Sequence, residues 1–319
     1  MNYRHAYHAG NFADVVKHAV LALLLERLGA KPAPYFVLDS HAGIGRYDLA
    51  AEPSLRTGEA AGGIGRLRQA LAGQAPPPEL TAYLAAVAAL NDGGPDGETR
   101  WYPGSPRLAR ALMRPGDRLV LAEAHPEDAR TLKREFAGDP QVQVHHRDGY
   151  EALRAFLPPA ERRGLVLIDP SYEESDEAER LVAALAGAHR RWPTGLFALW
   201  YPIKERPWVW RLHEALAATG IRRQLLAELT IRPEDDWRRL NGCGMIVINP
   251  PWRLDGTLAE LLPRLHRALA PAAAGGSLEI AAGGSLEIAA GGSLEIAAGG
   301  SLEIAADGGW KLDWLVPEE

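Results

Sequence analysis

The run Gly164 to Ile168, containing Leu165-Val166-Leu167-Ile168, has no polar side chain, and it leads straight into Asp169-Pro170-Ser171-Tyr172. A strand that is apolar on both faces must be covered from both sides, which calls for a parallel or mostly parallel sheet with helices on each face. Short apolar runs of this kind recur at Tyr35 to Leu38, Arg118 to Ala122, Val142 to Val144, Leu196 to Trp200, Gln224 to Thr230, Met245 to Ile248 and Leu312 to Val316. Helical spacing falls between many of them, around Asp176 to Arg190, Glu205 to Ala218 and Leu258 to Leu269. The stretch between the first two runs is too long for a βα connection. It is rich in Ala, Gly and Pro, and helical patterns near Gly63 to Leu71 and Pro78 to Leu90 predict a small helical insertion at about residues 50–105. Ahead of the first strand, Asn11 to Leu28 predicts an amphipathic helix, with Asn11 as its cap, Asp14 three residues on, and Gly29 at its end.

Residues 275–306 are four tandem copies of GGSLEIAA. A Gly pair in every copy disfavours a continuous helix by about 1 kcal/mol per Gly. A Gly-Gly meander would set Glu279 opposite Ile288 and Ile280 opposite Glu287, mixing charge with apolar groups on each face. The expectation is a flexible insert without a catalytic role, with a small β-extension or a partner-binding tether as the alternative. The repeat also distorts the charge of the chain. The 319 residues carry a net charge of -6, but four of the 41 acids lie in the repeat with no base, so the other 287 residues hold 37 acids against 35 bases. That body is nearly neutral. It can bind one nucleic-acid site through local patches such as Arg162-Arg163, Arg190-Arg191, Arg222-Arg223 and Arg238-Arg239, with Trp192 and Trp237 nearby. Cys243 is the single cysteine, so no internal disulfide forms. The apolar run Ala19 to Leu25 falls far short of the ~20 residues of a membrane span. No membrane partner, no signal peptide and a cytoplasmic protein are expected, and one Cys without a compact ligand cluster predicts no metal site.

The chemistry gathers at strand ends. Leu38-Asp39-Ser40-His41-Ala42-Gly43-Ile44-Gly45 places a Gly-x-Gly turn where open α/β sheets bind nucleotides, but Asp48 stands where a dinucleotide fingerprint needs a third Gly. A structural turn fits that feature equally well. Glu123 ends the second strand, placed to accept ribose hydroxyl protons, although a solvated acid would look the same; Asp148-Gly149 follows the third strand in the same way. Together these ends suggest one adenosine-like ligand spanning them. Asp169 and the Pro170 carbonyl could accept both N–H bonds of an exocyclic base amine and turn its lone pair toward an electrophile, with Tyr172 stacked on the base. The bland reading is a strand-terminating turn.

In sequence order, YRHAYHAGNFADVVKH (3–18), LDSHAGIGRYDL (38–49), RTGE (56–59), WYPGSPRLAR (101–110), AEAHP (122–126), RDGYEAL (147–153), GLVLIDPSYE (164–173), ALWYPIK (198–204) and GMIVINPPW (244–252) resemble the ribosomal RNA large subunit methyltransferase J family, RlmJ. The resemblance covers nearly all of the chain outside the repeat. It implies an α/β class I S-adenosylmethionine-dependent methyltransferase fold, Rossmann-like, with a mostly parallel seven-stranded sheet and a helical insertion, as one domain over residues 1–319. It implies methylation of the N6 amine of adenine-2030 in 23S rRNA, naked or in an early precursor, by a monomer using S-adenosylmethionine. Lys17, His18, His41, Gly43, Ser105, Glu123, Asp148, Gly149 and Asp169 would surround the cofactor, and Asp169, Pro170 and Tyr172 would carry catalysis. Tyr3, His5 and Tyr172 would meet the RNA, and the N-terminal motif at 1–29, which holds Tyr3, His5 and Lys17, looks like a lid over the methionine end and the target base. Without the resemblance, Lys17 and His18 read as solvated residues of an amphipathic helix, and His8, His125, His145 and His146 read as structural.

Two features complicate this reading. The family motif usually has Pro where Ser171 stands, and Asn249-Pro250-Pro251-Trp252 matches a general amine-methylation pattern better than the segment at Asp169 does. The late position of Asn249 makes it a structural strand end. A DNA N6-adenine methyltransferase, or a non-catalytic RNA-binding protein of the same fold, would share these pocket residues.

Overall fold

The computed structural model describes residues 4–91, 99–234, 236–271 and 308–318. Tyr3 and the GGSLEIAA repeat lie outside the described residues, so the expectations placed on them are untouched.

Eight strands form one sheet in the order β10-β8-β9-β7-β6-β1-β4-β5. They are β1 (Phe36–Asp39), β4 (Arg118–Glu123), β5 (Val142–His146), β6 (Gly164–Ile168), β7 (Leu196–Ile203), β8 (Gln224–Thr230), β9 (Gly242–Ile248) and β10 (Gly309–Val316). The pairings among β5, β4, β1, β6 and β7 are parallel, while β9 runs against both β7 and β8, and β10 against β8. The mostly parallel, Rossmann-like class I architecture is thus present with one strand more than the seven implied. The extra strand, β10, adds at the edge, Gly309 opposite Thr230. A separate two-stranded ribbon pairs β2 (Arg46–Asp48) with β3 (Trp101–Pro103).

Alternation within the apolar strands divides the core into two layers. Val37, Leu119, Leu121, Leu165 and Leu167 join the cluster on one face with α1 (Phe12–Gly29), α4 (Pro78–Ala89) and α10 (Leu254–Leu269). Leu38, Val120, Val166 and Ile168 face the other way, onto α7 (Gly149–Phe156), α8 (Glu177–Arg191) and α9 (Arg206–Ala217). Both faces are covered, as the unbroken apolar run at β6 requires. Between β1 and β4 lie α2 (Glu52–Thr57), a π-helical turn (Ala61–Gly65), α3 (Arg66–Ala70) and α4, the expected helical insertion, before α5 (Ser105–Leu112) returns the chain to the sheet.

The first helix departs from its reading in an instructive way. Asn11 does cap α1, its side chain accepting the Asp14 amide at 2.9 Å. The helix, however, is buried on every face from Phe12 to Leu25, between the sheet and the inserted helices, and is therefore not amphipathic. Lys17 and His18 are accordingly 4% and 1% exposed, not solvated. A buried lysine needs charged partners, and these define the site.

Candidate active site

The carboxyl ends of β1, β4 and β6 open at the same edge of the sheet. The chain leaves β1 toward β4 on one side and later returns to β6 on the other, which is where such sheets leave a crevice. A cavity of about 1100 Å³ occupies that place, and its wall includes His5, Lys17, His18, His41, Gly43, Ser105, Glu123, Asp169, Pro170 and Tyr172.

Lys17 organises its centre. Its Nζ donates to Asp169 Oδ2 at 2.6 Å and lies 2.8 Å from Asp14 Oδ1. Burial opposes the ammonium, but Asp14 and Asp169 outweigh it and hold the lysine well above its ordinary value, so it stays charged at any physiological pH. Asp14 is held well below the carboxylate range: burial opposes its charge, and the contacts with His5 and the Lys17 ammonium overcome that. Its other oxygen lies 2.9 Å from His5 Nε2 and accepts the Gly10 amide at 2.9 Å. Sequence reasoning used Asp14 only as a capping residue. Its spacing of three from Lys17 along a helix was the signal for a pair on one face.

His18 and His41 are neutral at physiological pH. Burial takes His18 down to about 3, with Asp14 opposing, and His41 down to about 4, with Asp169 and Asp148 opposing. His18 Nδ1 is 2.9 Å from the Tyr102 hydroxyl, while its Nε2 is buried without a hydrogen-bond partner. His41 Nδ1 lies 2.9 Å from Ser40 Oγ, and the ring packs edge-on to Tyr150. Glu123 is 9% exposed and accepts the amides of Gly43 at 2.8 Å and His125 at 2.7 Å. These bonds aim the carboxylate and leave each oxygen a second lone pair. Burial pushes its carboxyl up, against those two amides. Gly43 has φ +62°, and a Cβ there would strike the Tyr47 hydroxyl, so only glycine fits the turn.

Two expected residues are not on this wall. Asp148 caps α7, accepting the amides of Tyr150 and Glu151, and borders a smaller groove between α7 and α8. Gly149 packs beneath Ser40 and His41, where a Cβ would meet the Ser40 carbonyl and the imidazole. Conversely, His8 and His125, read as structural, do reach the cavity; His8 Nδ1 is 3.0 Å from both oxygens of Glu59, which also accepts from Asn11. The helical insertion delivers Glu59, and only the fold brings it to the N-terminal segment.

Tyr172 takes φ +55°, donates its hydroxyl to the Trp200 carbonyl at 2.7 Å and meets Trp208 edge-on at 5.2 Å. The ring is thereby fixed beside Asp169. Asn249 is elsewhere. β9 runs antiparallel to β7, so its carboxyl end lies at the opposite edge of the sheet, where Asn249 donates to the carbonyls of Pro193 and Gly195 at 2.8 Å each. Cys243 is buried within β9 and burial pushes its thiol up, which removes it as a nucleophile.

Asp39, at the end of β1, is 1% exposed, and burial pushes its carboxyl up to about 6, opposed by Ser105 and the His41 amide. An acid that binds its proton more tightly when folded loses stability as pH rises from its ordinary value through the folded one. Asp39→Asn is therefore expected to raise stability above about pH 6 by an amount on the order of 3 kcal/mol. Thermal unfolding of both proteins at pH 4 and pH 8 checks this: the gain should be present at pH 8 and absent at pH 4, and an equal effect at both would refute it.

Among the described residues no group of His, Cys, Asp and Glu is arranged to hold a metal ion, and no helix is long and apolar enough to cross a membrane. The family model described as "Ribosomal RNA large subunit methyltransferase D, RlmJ" matches residues 32–281. Ribosomal RNA large subunit methyltransferase J of Escherichia coli K12 is 46% identical over 275 residues, covering 86% of this chain and 96% of that protein. The protein of the same name from Haemophilus influenzae is 45% identical over 276 residues, with the same coverage. The crystal structure of protein LPL1258 from Legionella pneumophila superposes with a TM-score of 0.76 at 33% identity, covering 83% of this chain and 95% of that one.

Proposed function

The chain belongs to the ribosomal RNA large subunit methyltransferase J family, and on that premise we propose that it methylates N6 of a single adenine in 23S rRNA, adenine-2030, using S-adenosylmethionine. When bound, this cofactor supplies an electrophilic methyl group on a sulfonium. The cavity fits it. The unpartnered His18 Nε2 and the amino end of α5 at Ser105 suit its methionine end, and the remaining lone pairs of Glu123 suit ribose hydroxyls.

The observation that carries the reading is the placement of Asp169. Lys17 engages Oδ2, so Oδ1 and the Pro170 carbonyl are the acceptors offered to the two N–H bonds of the adenine amine. Holding both protons turns the nitrogen lone pair, otherwise drawn into the ring, toward the methyl group. Tyr172, locked by its bond to Trp200, supplies the stacking surface. Asp169 orients the amine and accepts its hydrogen bond; the proton leaves during or after attack, once the new C–N bond makes the nitrogen acidic. Transfer is direct, without a covalent enzyme intermediate, consistent with the buried Cys243. The target adenine must be unpaired or flipped to enter. Ser171 adds a hydroxyl where Pro is usual but leaves Asp169, the Pro170 carbonyl and Tyr172 in position. The protein is read as a monomer acting in the cytoplasm.

Mass mapping of 23S rRNA from cells with and without the protein tests this. N6-methyladenine is expected at position 2030 only when the protein is present, and purified protein is expected to label unmodified 23S rRNA fragments but not DNA oligonucleotides. Preferential labelling of DNA would replace the RNA reading with its DNA counterpart, and cofactor binding without transfer to either would make the protein a non-catalytic binder.

A further inference from the structure

The loop from β8 to β9 rises at the same edge of the sheet as Asp169, because β8 ends there and β9 starts back from it. Trp237, in this loop, is 68% exposed, and of the exposed large hydrophobic side chains among the described residues it is the one on the cavity wall. An indole left in water forgoes the gain of burial, so its position at the mouth of a site calls for an occupant. Around it on the same wall stand Lys204, Arg232, Arg238 and Arg239.

The loop is built to hold this shape. Asp236 accepts Arg238 Nε at 2.8 Å and pairs with Arg239 Nε at 3.2 Å, binding two like charges side by side. Asn241, 1% exposed, donates to the carbonyls of Asp236 and Lys204 at 3.0 Å each and ties the loop to the end of β7. An exposed aromatic face flanked by fixed guanidinium groups is what single-stranded nucleic acid binds, base on ring and phosphates on charge.

We propose that this loop is a stacking platform for the nucleotide next to the target adenine: its base lies on Trp237, and Arg238 and Arg239, oriented by Asp236, meet the adjoining phosphates. Splaying the neighbouring base onto Trp237 would help keep the adenine out of its stack and in the pocket. The proposal rests on the RNA substrate read above.

The test is equilibrium binding of the full chain to a 23S rRNA fragment spanning adenine-2030, with S-adenosylhomocysteine present so that no transfer occurs. Trp237→Ala is expected to raise Kd about tenfold and Trp237→Phe to stay within about twofold of the parent, with cofactor affinity unchanged in both. Replacing Arg238 and Arg239 together by Ala is expected to flatten the dependence of Kd on salt. An abasic residue beside the adenine, on the 5′ or the 3′ side, should weaken the parent and make the Trp237→Ala change neutral. RNA affinity indifferent to Trp237→Ala, in a protein that still methylates RNA, overturns the platform and leaves the proposed function standing. Tight, Trp237-dependent RNA binding without any methyl transfer supports the platform and overturns the function.

Discussion

Asp169→Ala should lower methyl transfer by about 10³-fold with the fold intact, because it removes the acceptor proposed to orient the amine. The polar replacement Asp169→Asn is expected to be almost as inactive. An amide has one acceptor oxygen, and Lys17 Nζ, 2.6 Å from Asp169 Oδ2, claims it. The NH2 group then faces the adenine amine, donor against donor. Cofactor affinity should change much less than turnover, since His18, Ser105 and Glu123 remain. The control is Asn249→Ala. It loses two hydrogen bonds at a φ of +56°, so stability should fall by about 1–2 kcal/mol, while the turnover of folded protein is retained. Single-turnover rates with calorimetry on the three variants measure both effects. Activity lost only in Asn249→Ala would show that the acceptor has been misplaced.

Lys17→Met has the second large effect, and it falls on stability and activity together. The side chain fits the volume but leaves Asp14 and Asp169 facing each other without the cation that joined them. Breaking a buried pair by removing one member costs about 3–5 kcal/mol, part of which the bonds to Asp14 from His5 and Gly10 offset. A pair of carboxylates robbed of its ammonium takes up a proton more readily. A protonated acid offers the amine a donor instead of an acceptor, so residual turnover should emerge only at higher pH, the acidic limb of the pH–rate profile moving alkaline. Lys17→Arg keeps the charge and should keep that limb in place, even if the bulkier head slows the reaction. A loss in Lys17→Met independent of pH would mean that the lysine serves packing alone.

Much of this was legible before folding. The apolar run at β6 could not be half-solvated, which fixed the two-layered sheet, and the acids and glycines beyond the strands marked the edge where ligands bind. Strand direction was not legible. Asn249 and Asp169 each follow an apolar strand and precede proline, and only the antiparallel setting of β9 sends one to the far edge. Nor could periodicity show that α1 is covered on all sides, because its second cover comes from the π-helical turn, α4 and α5, which the chain reaches only after β1. The solvated reading of Lys17 and His18 failed for that reason.

By itself the sequence determined which groups stand at strand ends, since alternation and apolar runs are local properties of the chain. Which of these groups meet was decided by the tertiary structure. The Lys17–Asp169 bond spans 152 positions and the Glu59–His8 contact spans 51. Such pairings form only when the helical insertion and the sheet close over α1, where burial makes an unpaired charge too costly to leave.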